Sequence, residues 1–85
     1  LIIIDVRDSH EYQIDSINIA QSFPLKYIQN GSSIEIIKEI AKGKDLYVYC
    51  QTGKRSLEAL IELKSHGITG KNVLGGIESW NKLIS

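Results

Sequence analysis

The chain has few of the residues on which several common structural classes depend. Its 85 residues include one cysteine, one proline, one tryptophan and no methionine. A single cysteine excludes an internal disulfide framework, because each disulfide needs two. Ten basic residues balance ten acidic ones, which argues against nucleic-acid binding driven by bulk charge. No apolar run approaches the roughly 20 residues that span a bilayer, and the opening run stops at Asp5, so no signal peptide is visible.

Length and composition indicate one small folded domain. The apolar fraction of 42% and the charged fraction of 24% are ordinary for a globular protein, so residues 1–85 are predicted to form a single domain. The chain begins at Leu1, inside a strand-like run and without an initiator methionine, and we expect a fragment of a longer protein. A free cysteine suits a reducing compartment, which predicts a cytoplasmic location.

Signals for strands and helices alternate along the chain. Apolar and β-branched runs predict strands at residues 1–6, 17–20, 46–49 and 72–74. Helical patterns lie between and after them, at residues 10–14, 25–28, 34–43, 56–66 and 77–84. This alternation predicts an α/β fold, with a small parallel sheet flanked by helices on both faces.

Caps and apolar spacing add detail to the predicted helices. Asp8 or Ser9 is expected to cap the first helix, and Ser32 with Glu35 has the spacing of a capping box for the third. Helical spacing predicts buried stripes in the third and fourth helices, formed by Ile36, Ile37 and Ile40 and by Leu57, Leu60, Ile61 and Leu63 respectively.

The only cysteine stands between a strand-like run and a helical pattern. Residues 47–49 are β-prone, and the helical pattern starts about five residues after Cys50. At such a turn, backbone N–H groups converge and the positive end of a helix points at the side chain, which favours thiolate over thiol. Lys54 and Arg55 add positive charge to the same loop. We therefore predict a nucleophilic cysteine in an anion cradle, although a lone cysteine is more often a small buried hydrophobic residue.

Three separated motifs resemble the rhodanese domain family. Asp5-Val6-Arg7, followed by Glu11-Tyr12 and Ile17, is similar to the family's opening block. Residues 50–56, Cys-Gln-Thr-Gly-Lys-Arg-Ser, are similar to its active-site loop, and residues 73–80, Val-Leu-Gly-Gly-Ile-Glu-Ser-Trp, to its closing block. The motifs occur in the family's order and cover almost the whole chain. Residues 15–20 depart from the usual Gly-His-Ile-x-Gly-Ala, and the family's first strand and helix, ahead of the opening block, are absent.

The resemblance implies sulfur transfer. The thiolate of Cys50 would take a sulfur atom from thiosulfate or a protein persulfide, and would then pass it to cyanide, a thiol or a sulfur-carrier protein. No cofactor is implied, because the sulfur is carried covalently. The anion cradle around the cysteine is expected to comprise Gln51, Thr52, Gly53, Lys54 and Arg55, with Lys54 and Arg55 also lowering the pKa of the thiol.

Three further residues are expected to support the loop rather than react. Asp5 and Arg7 would be buried beside it, paired with each other or holding backbone N–H groups. Ser56 would donate a hydrogen bond or cap the following helix. Neither His10 nor His66 has a partner at metal-ligand spacing, so we expect no metal site.

Three other functions are alternatives to a free-standing sulfurtransferase. Cys50 and Arg55 enclose four residues, whereas cysteine-dependent phosphatases use a Cys-x5-Arg loop, so a phosphatase is disfavoured. A rhodanese-like interaction module without catalysis is a second alternative. The third is a sulfur-relay domain fused to an adenylyltransferase that activates sulfur carriers, as in molybdopterin biosynthesis. No nucleic-acid or membrane partner is expected.

Overall fold

Four parallel strands form the centre of the molecule. The computed structural model describes residues 1–84, so the predicted domain end at residue 85 lies outside the described range. The strands are β1 (Ile2–Asp5), β2 (Gln21–Ser22), β3 (Leu46–Tyr49) and β4 (Lys71–Asn72), in the spatial order β2-β1-β3-β4. The helices in this range are α1 (Ser9–Ile14), α2 (Leu25–Gln29), α3 (Ile34–Ile40), α4 (Lys54–Ser65) and α5 (Gly76–Ile84). The α/β prediction with a small parallel sheet is confirmed.

The two central strands are apolar on both faces because helices cover both faces. β1 and β3 pair along their whole length, from Ile2 opposite Leu46 to Asp5 opposite Tyr49. Successive side chains of a strand point to opposite faces. One face packs in a core with residues of α2, α3 and α4, comprising Ile4, Val6, Ile28, Ile34, Ile37, Leu46, Val48, Cys50, Ala59, Leu63 and Ile68. The other face carries a smaller core with Ile17, Ala20, Tyr49 and Ile77.

Two of the predicted strands are misplaced. Residues 17–20 form a turn, closed by a hydrogen bond from the Ala20 N–H to the Ile17 carbonyl (3.0 Å), and Ile19 has a φ of 67°. The pairing strand, β2, begins only at residue 21. Ile17 is nevertheless buried, so its apolar character reflects side-chain packing rather than strand pairing. The last strand ends at Asn72 instead of extending to residue 74.

The predicted capping box occurs in a different helix. In α1 the backbone N–H of Asp8, the N-cap residue, donates to the Glu11 side chain (3.0 Å). In α3 the N-cap residue is Ser33, and Ser32 instead donates from its hydroxyl to the Tyr27 carbonyl (3.3 Å). The expected pairing of Ser32 with Glu35 is therefore wrong.

The buried stripes of α3 and α4 are rotated from those predicted. In α3 the buried residues are Ile34 and Ile37, while Ile36 is 55% exposed. In α4 they are Ser56, Ala59 and Leu63, while Leu57 and Ile61 are 54% and 67% exposed. The buried side of α4 carries Ser56, which contacts the Cys50 sulfur, and Ala59 and Leu63, which pack in the same core as Cys50. Among residues 1–84, no helix is long and apolar enough to cross a bilayer.

Candidate functional site

Cys50 lies where β3 ends and the loop into α4 begins. This is the carboxyl edge of the parallel sheet, where ligands bind in α/β folds. The cysteine is 1% exposed, and its sulfur accepts a hydrogen bond from the Gly53 N–H (3.1 Å). Gly53 is the N-cap of α4 and has a φ of 108°, in the left-handed region that favours glycine. The positive end of a twelve-residue helix therefore starts three residues after the thiol.

Ser56 connects the sulfur to the neighbouring strand. The Cys50 thiol donates to the Ser56 oxygen (3.5 Å), and the Ser56 hydroxyl donates to the Asn72 side-chain oxygen (2.5 Å). The Asn72 amide in turn donates to the Gly53 carbonyl (3.1 Å), so the same side chain also holds the loop. A hydroxyl has one hydrogen, so Ser56 can donate either to Asn72 or to a Cys50 thiolate.

The balance of these contacts favours the ionised sulfur. Burial raises the pKa of the Cys50 thiol. Hydrogen bonds from the Ser56 hydroxyl and from the backbone N–H groups of Ser56, Gly53 and Thr52 outweigh that effect, and the net pKa is lowered. The main physical cause is thus the set of hydrogen-bond donors around the sulfur.

The outer side of the loop is bound to α5. The N–H of Ile77 donates to the Cys50 carbonyl (2.9 Å), and the N–H of Glu78 donates to the Gln51 carbonyl (3.3 Å). Gly76 has a φ of 62°, and a Cβ built there would overlap both of these carbonyl oxygens. Gly76 is therefore the point of close approach between α5 and the cysteine loop, and two loop carbonyls accept hydrogen bonds from the start of α5.

Asp5 and Arg7 form the buried pair that the sequence predicts. The Arg7 guanidinium donates to both Asp5 oxygens, with an Nη2–Oδ2 distance of 2.8 Å, and the Arg7 N–H also donates to Asp5 Oδ1 (2.8 Å). Burial lowers the pKa of Arg7, but hydrogen bonds and charge from Asp5 raise it overall, so the guanidinium stays charged. Arg7 also donates to the Gln51 side-chain oxygen (3.2 Å) and to the Asp15 carboxylate (3.4 Å). The buried pair thereby supports the loop residue that follows the cysteine.

The two cations of the first turn of α4 differ in their surroundings. Lys54 is exposed, whereas Arg55 forms a two-point ion pair with Glu11, at 2.8 Å and 3.1 Å. Hydrogen bonds from Arg55 lower the pKa of Glu11 to about 2. Thr52 is exposed and contributes its backbone N–H to the sulfur's surroundings. Gln51, Thr52 and Gly53 thus form the loop, whereas Lys54 and Arg55 belong to the first turn of α4, which begins two residues earlier than predicted. The roles of these residues in binding a substrate stay predictions.

Two residues of the site were not singled out from the sequence. Glu11 belongs to the opening motif, but nothing local shows that it reaches a loop 44 residues away. Asn72 ends a short strand and looks like an ordinary turn residue in the sequence. The available signal was their place in the sheet order: Glu11 lies in α1, which follows β1, and Asn72 ends β4, and these two strands flank the strand that leads to Cys50. In the described part of the chain, no group of three or more histidine, cysteine or acidic residues could hold a metal ion.

Comparison with known proteins supplies the family. The family model for the rhodanese-like domain matches residues 1–83. The probable adenylyltransferase/sulfurtransferase MoeZ of Mycobacterium tuberculosis is 37% identical over 83 residues, covering 96% of this chain and 20% of that protein. The adenylyltransferase and sulfurtransferase MOCS3-1 of Zea mays is 32% identical over 84 residues, covering 95% of this chain and 18% of that protein. The chain thus spans about a fifth of the length of these relatives.

Solved structures agree with the sequence relatives. The crystal structure of a rhodanese-related protein from Thermoplasma volcanium superposes with a TM-score of 0.79 at 30% identity, covering 95% of this chain and 76% of that one. A Rhodanese_3-like domain from Anabaena gives the same TM-score at 26% identity, covering 96% of this chain and 91% of that one. With a family match over nearly every residue, a shared fold and a cysteine loop at the sheet edge, the chain belongs to the rhodanese-like domain family and is related to the sulfurtransferase part of fused adenylyltransferase-sulfurtransferases.

Proposed function

We propose that this domain is a sulfurtransferase in which Cys50 carries sulfane sulfur as a persulfide. The observation that carries the proposal is the set of donors around one buried sulfur, with the Gly53 N–H at 3.1 Å and the Ser56 hydroxyl within reach. These donors lower the pKa of the thiol although the side chain is buried. A persulfide is also an anion, so the same donors would stabilise the intermediate.

The reaction has two steps, and each exchanges one sulfur–sulfur bond for another bond to sulfur. The Cys50 thiolate attacks the outer sulfur of thiosulfate, whose S–S bond breaks, and sulfite leaves with the bonding electron pair. With a persulfide donor, the donor's own thiolate is the leaving group. An acceptor thiolate or cyanide then attacks the outer sulfur of the Cys50 persulfide and the Cys50 thiolate is released. Neither step requires a cofactor, because no net oxidation occurs and the sulfur stays covalently bound.

The relatives suggest the setting of this reaction. Two of them are named adenylyltransferase and sulfurtransferase in one protein, and this chain matches about a fifth of each. We infer a sulfur-relay domain joined to an adenylyltransferase, with a protein persulfide as donor and a sulfur-carrier protein as acceptor. A cytoplasmic location, where thiols stay reduced, fits that role.

The test is the mass of the protein after incubation with a sulfur donor. Loading with thiosulfate, or with a cysteine desulfurase and cysteine, should add about 32 Da to the peptide that contains Cys50. Cyanide or dithiothreitol should remove the added mass, and the Cys50→Ser variant should never acquire it. If neither donor loads the wild-type protein under conditions where Cys50 is alkylated normally, sulfur transfer is wrong and a non-catalytic interaction module takes its place.

A further inference from the structure

The ion pair between Glu11 and Arg55 joins α1 to the first turn of α4, the helix that follows Cys50. Each Nη nitrogen of Arg55 donates to one oxygen of Glu11, at 2.8 Å and 3.1 Å, and both side chains are partly buried. The pKa of Arg55 is raised, first by its hydrogen bonds to Glu11 and more weakly by the charges of Glu11 and Cys50, against a lowering by burial. Arg55 lies in the first turn of the helix whose N-cap residue, Gly53, donates to the Cys50 sulfur, but its hydrogen-bonding fork is turned to Glu11.

We propose that Glu11 determines donor specificity, by occupying Arg55 and so disfavouring small, highly charged anions in their reaction with Cys50. This proposal rests on the proposed sulfur transfer, because specificity presupposes a donor. Bidentate pairing with a carboxylate is one of the strong, charge-assisted contacts that a guanidinium makes in proteins. An incoming dianion such as thiosulfate would have to displace Glu11 or share Arg55 with it.

The other cations of the site do not replace Arg55. Arg7 is buried against Asp5, with an Nη2–Oδ2 distance of 2.8 Å, and its charge is compensated there. Lys54 is exposed and belongs to no ion pair within residues 1–84, but a solvated ammonium attracts anions only weakly. Although the loop sequence carries two adjacent cations, the folded site is thus much less positive. Such a site suits a neutral or singly charged donor, such as a persulfide, better than a dianion.

The experiment compares two alkylating reagents of similar size, one with a negative carboxylate and one with a neutral amide. In each case the Cys50 thiolate forms a bond to the CH2 carbon of iodoacetate or iodoacetamide and iodide leaves, so the rate ratio is independent of how much thiolate is present. In Glu11→Gln the ratio of iodoacetate to iodoacetamide rates should rise roughly three- to tenfold at low salt, and high salt should reduce the gain. Gln retains the side-chain oxygen that accepts from the Asp8 N–H, so α1 should stay capped. Circular dichroism checks that it does.

A matched control separates this effect from a general change in charge. Glu39 is an exposed residue of α3, so Glu39→Gln removes the same charge elsewhere and should leave the ratio unchanged. An unchanged ratio in folded Glu11→Gln, or an equal rise in Glu39→Gln, would overturn the proposal.

A double variant tests whether Glu11 acts through Arg55. If Glu11 acts by occupying Arg55, the Glu11→Gln gain should be clearly smaller when Arg55→Gln is also present. An equal gain in both backgrounds would show that Glu11 merely repels anions through its own charge, and the occupancy of Arg55 would then be wrong.

The alkylation ratio does not depend on sulfur transfer, so the two proposals can fail separately. If thiosulfate and desulfurase both fail to load Cys50 while the ratio rises as expected, the proposed function is wrong and the relation between Glu11 and Arg55 stands. If loading is normal and the ratio does not move, only the specificity role of Glu11 is wrong. When both proposals hold, Glu11→Gln should also load faster with thiosulfate.

Discussion

A methyl group at position 76 would overlap the carbonyl oxygen of Cys50, so α5 can reach the loop after Cys50 only because Gly76 has no side chain. The neighbouring N–H of Ile77 then donates to that same carbonyl (2.9 Å). A peptide plane whose carbonyl is held on the outside has its N–H directed inward. Contact with α5 is thus part of how the loop surrounds the sulfur.

Gly76→Ala should disturb both stability and reactivity. The substitution adds an overlap with two carbonyls to a left-handed backbone, and should lower the free energy of unfolding by roughly 3 kcal/mol or more. Cys50 should also react more slowly with iodoacetamide. Gly31→Ala is the matched control, because Gly31 has a φ of 88° but nothing within 4 Å of a built Cβ. Gly31→Ala should lower the free energy of unfolding by only about 1–2 kcal/mol, because a side chain disfavours the left-handed backbone. Equal losses of unfolding free energy for the two variants, measured with urea, would show that the overlap with the loop does not destabilise the protein.

Ser56→Ala should raise the pKa of Cys50. The variant loses a donor that stabilises the thiolate, so the midpoint of the pH profile for alkylation should move up by about one pH unit. Near neutral pH the reaction should be slower, because less thiolate is present. Ser65→Ala, in the last turn of the same helix, removes an exposed hydroxyl that donates to the Glu62 carbonyl and should leave the profile in place. A Ser56→Ala profile identical to that of wild type would refute this role for the hydroxyl.

Asp5→Asn should lower the free energy of unfolding, because it breaks a buried ion pair. The amide cannot balance the charge of the buried Arg7, and leaving one member of a buried pair uncompensated costs about 3–5 kcal/mol. Urea unfolding measures the loss, and Asp45→Asn, at an exposed position, should change the free energy of unfolding by less than about 0.5 kcal/mol. Similar stabilities of the two variants would mean that Asp5 and Arg7 do not depend on each other.

The contribution of Glu11 to stability should disappear in acid. Pairing with Arg55 lowers the pKa of Glu11 from the ordinary 4.5 to about 2 in the folded protein. A group whose pKa is depressed by folding stabilises the native state above its unfolded pKa, and loses that effect as the pH falls towards the folded value. At neutral pH the free energy of unfolding of wild type should therefore exceed that of Glu11→Gln by about 1 kcal/mol or less. The difference should shrink as the pH is lowered from about 5 towards 2, and a difference that grows in acid would contradict the pairing.

The sequence was most informative where local signals and long-range packing agree. The apolar runs around Ile4 and Val48 predict buried parallel strands, and both occur because helices cover the sheet on its two faces. The loop after Cys50 could be predicted as a strand-to-helix turn because a β-prone run precedes it and a helical pattern follows it. At residues 17–20 the two levels disagree: Ile17 is apolar because it fills a core, while the backbone around it forms a turn.

The remaining errors come from contacts that local spacing cannot show. The side of α4 that is buried includes Ser56, which contacts Cys50, whereas the apolar residues Leu57 and Ile61 are exposed. Apolar spacing alone therefore gave the wrong orientation for this helix. The pairing of Arg55 with Glu11 likewise depends on two strands ending side by side. Local charge alone therefore overstates how positive the loop is.

The contacts between α5 and the loop also make the order of synthesis matter for the surroundings of Cys50. Cys50 and α4 leave the ribosome before Gly76, Ile77 and Glu78 do, so the nascent chain carries the thiol before the carbonyls of Cys50 and Gln51 have their donors from α5. A polypeptide cut between β4 and α5 would lack these two hydrogen bonds permanently. The loop around the cysteine is therefore complete only once synthesis has reached the last described helix.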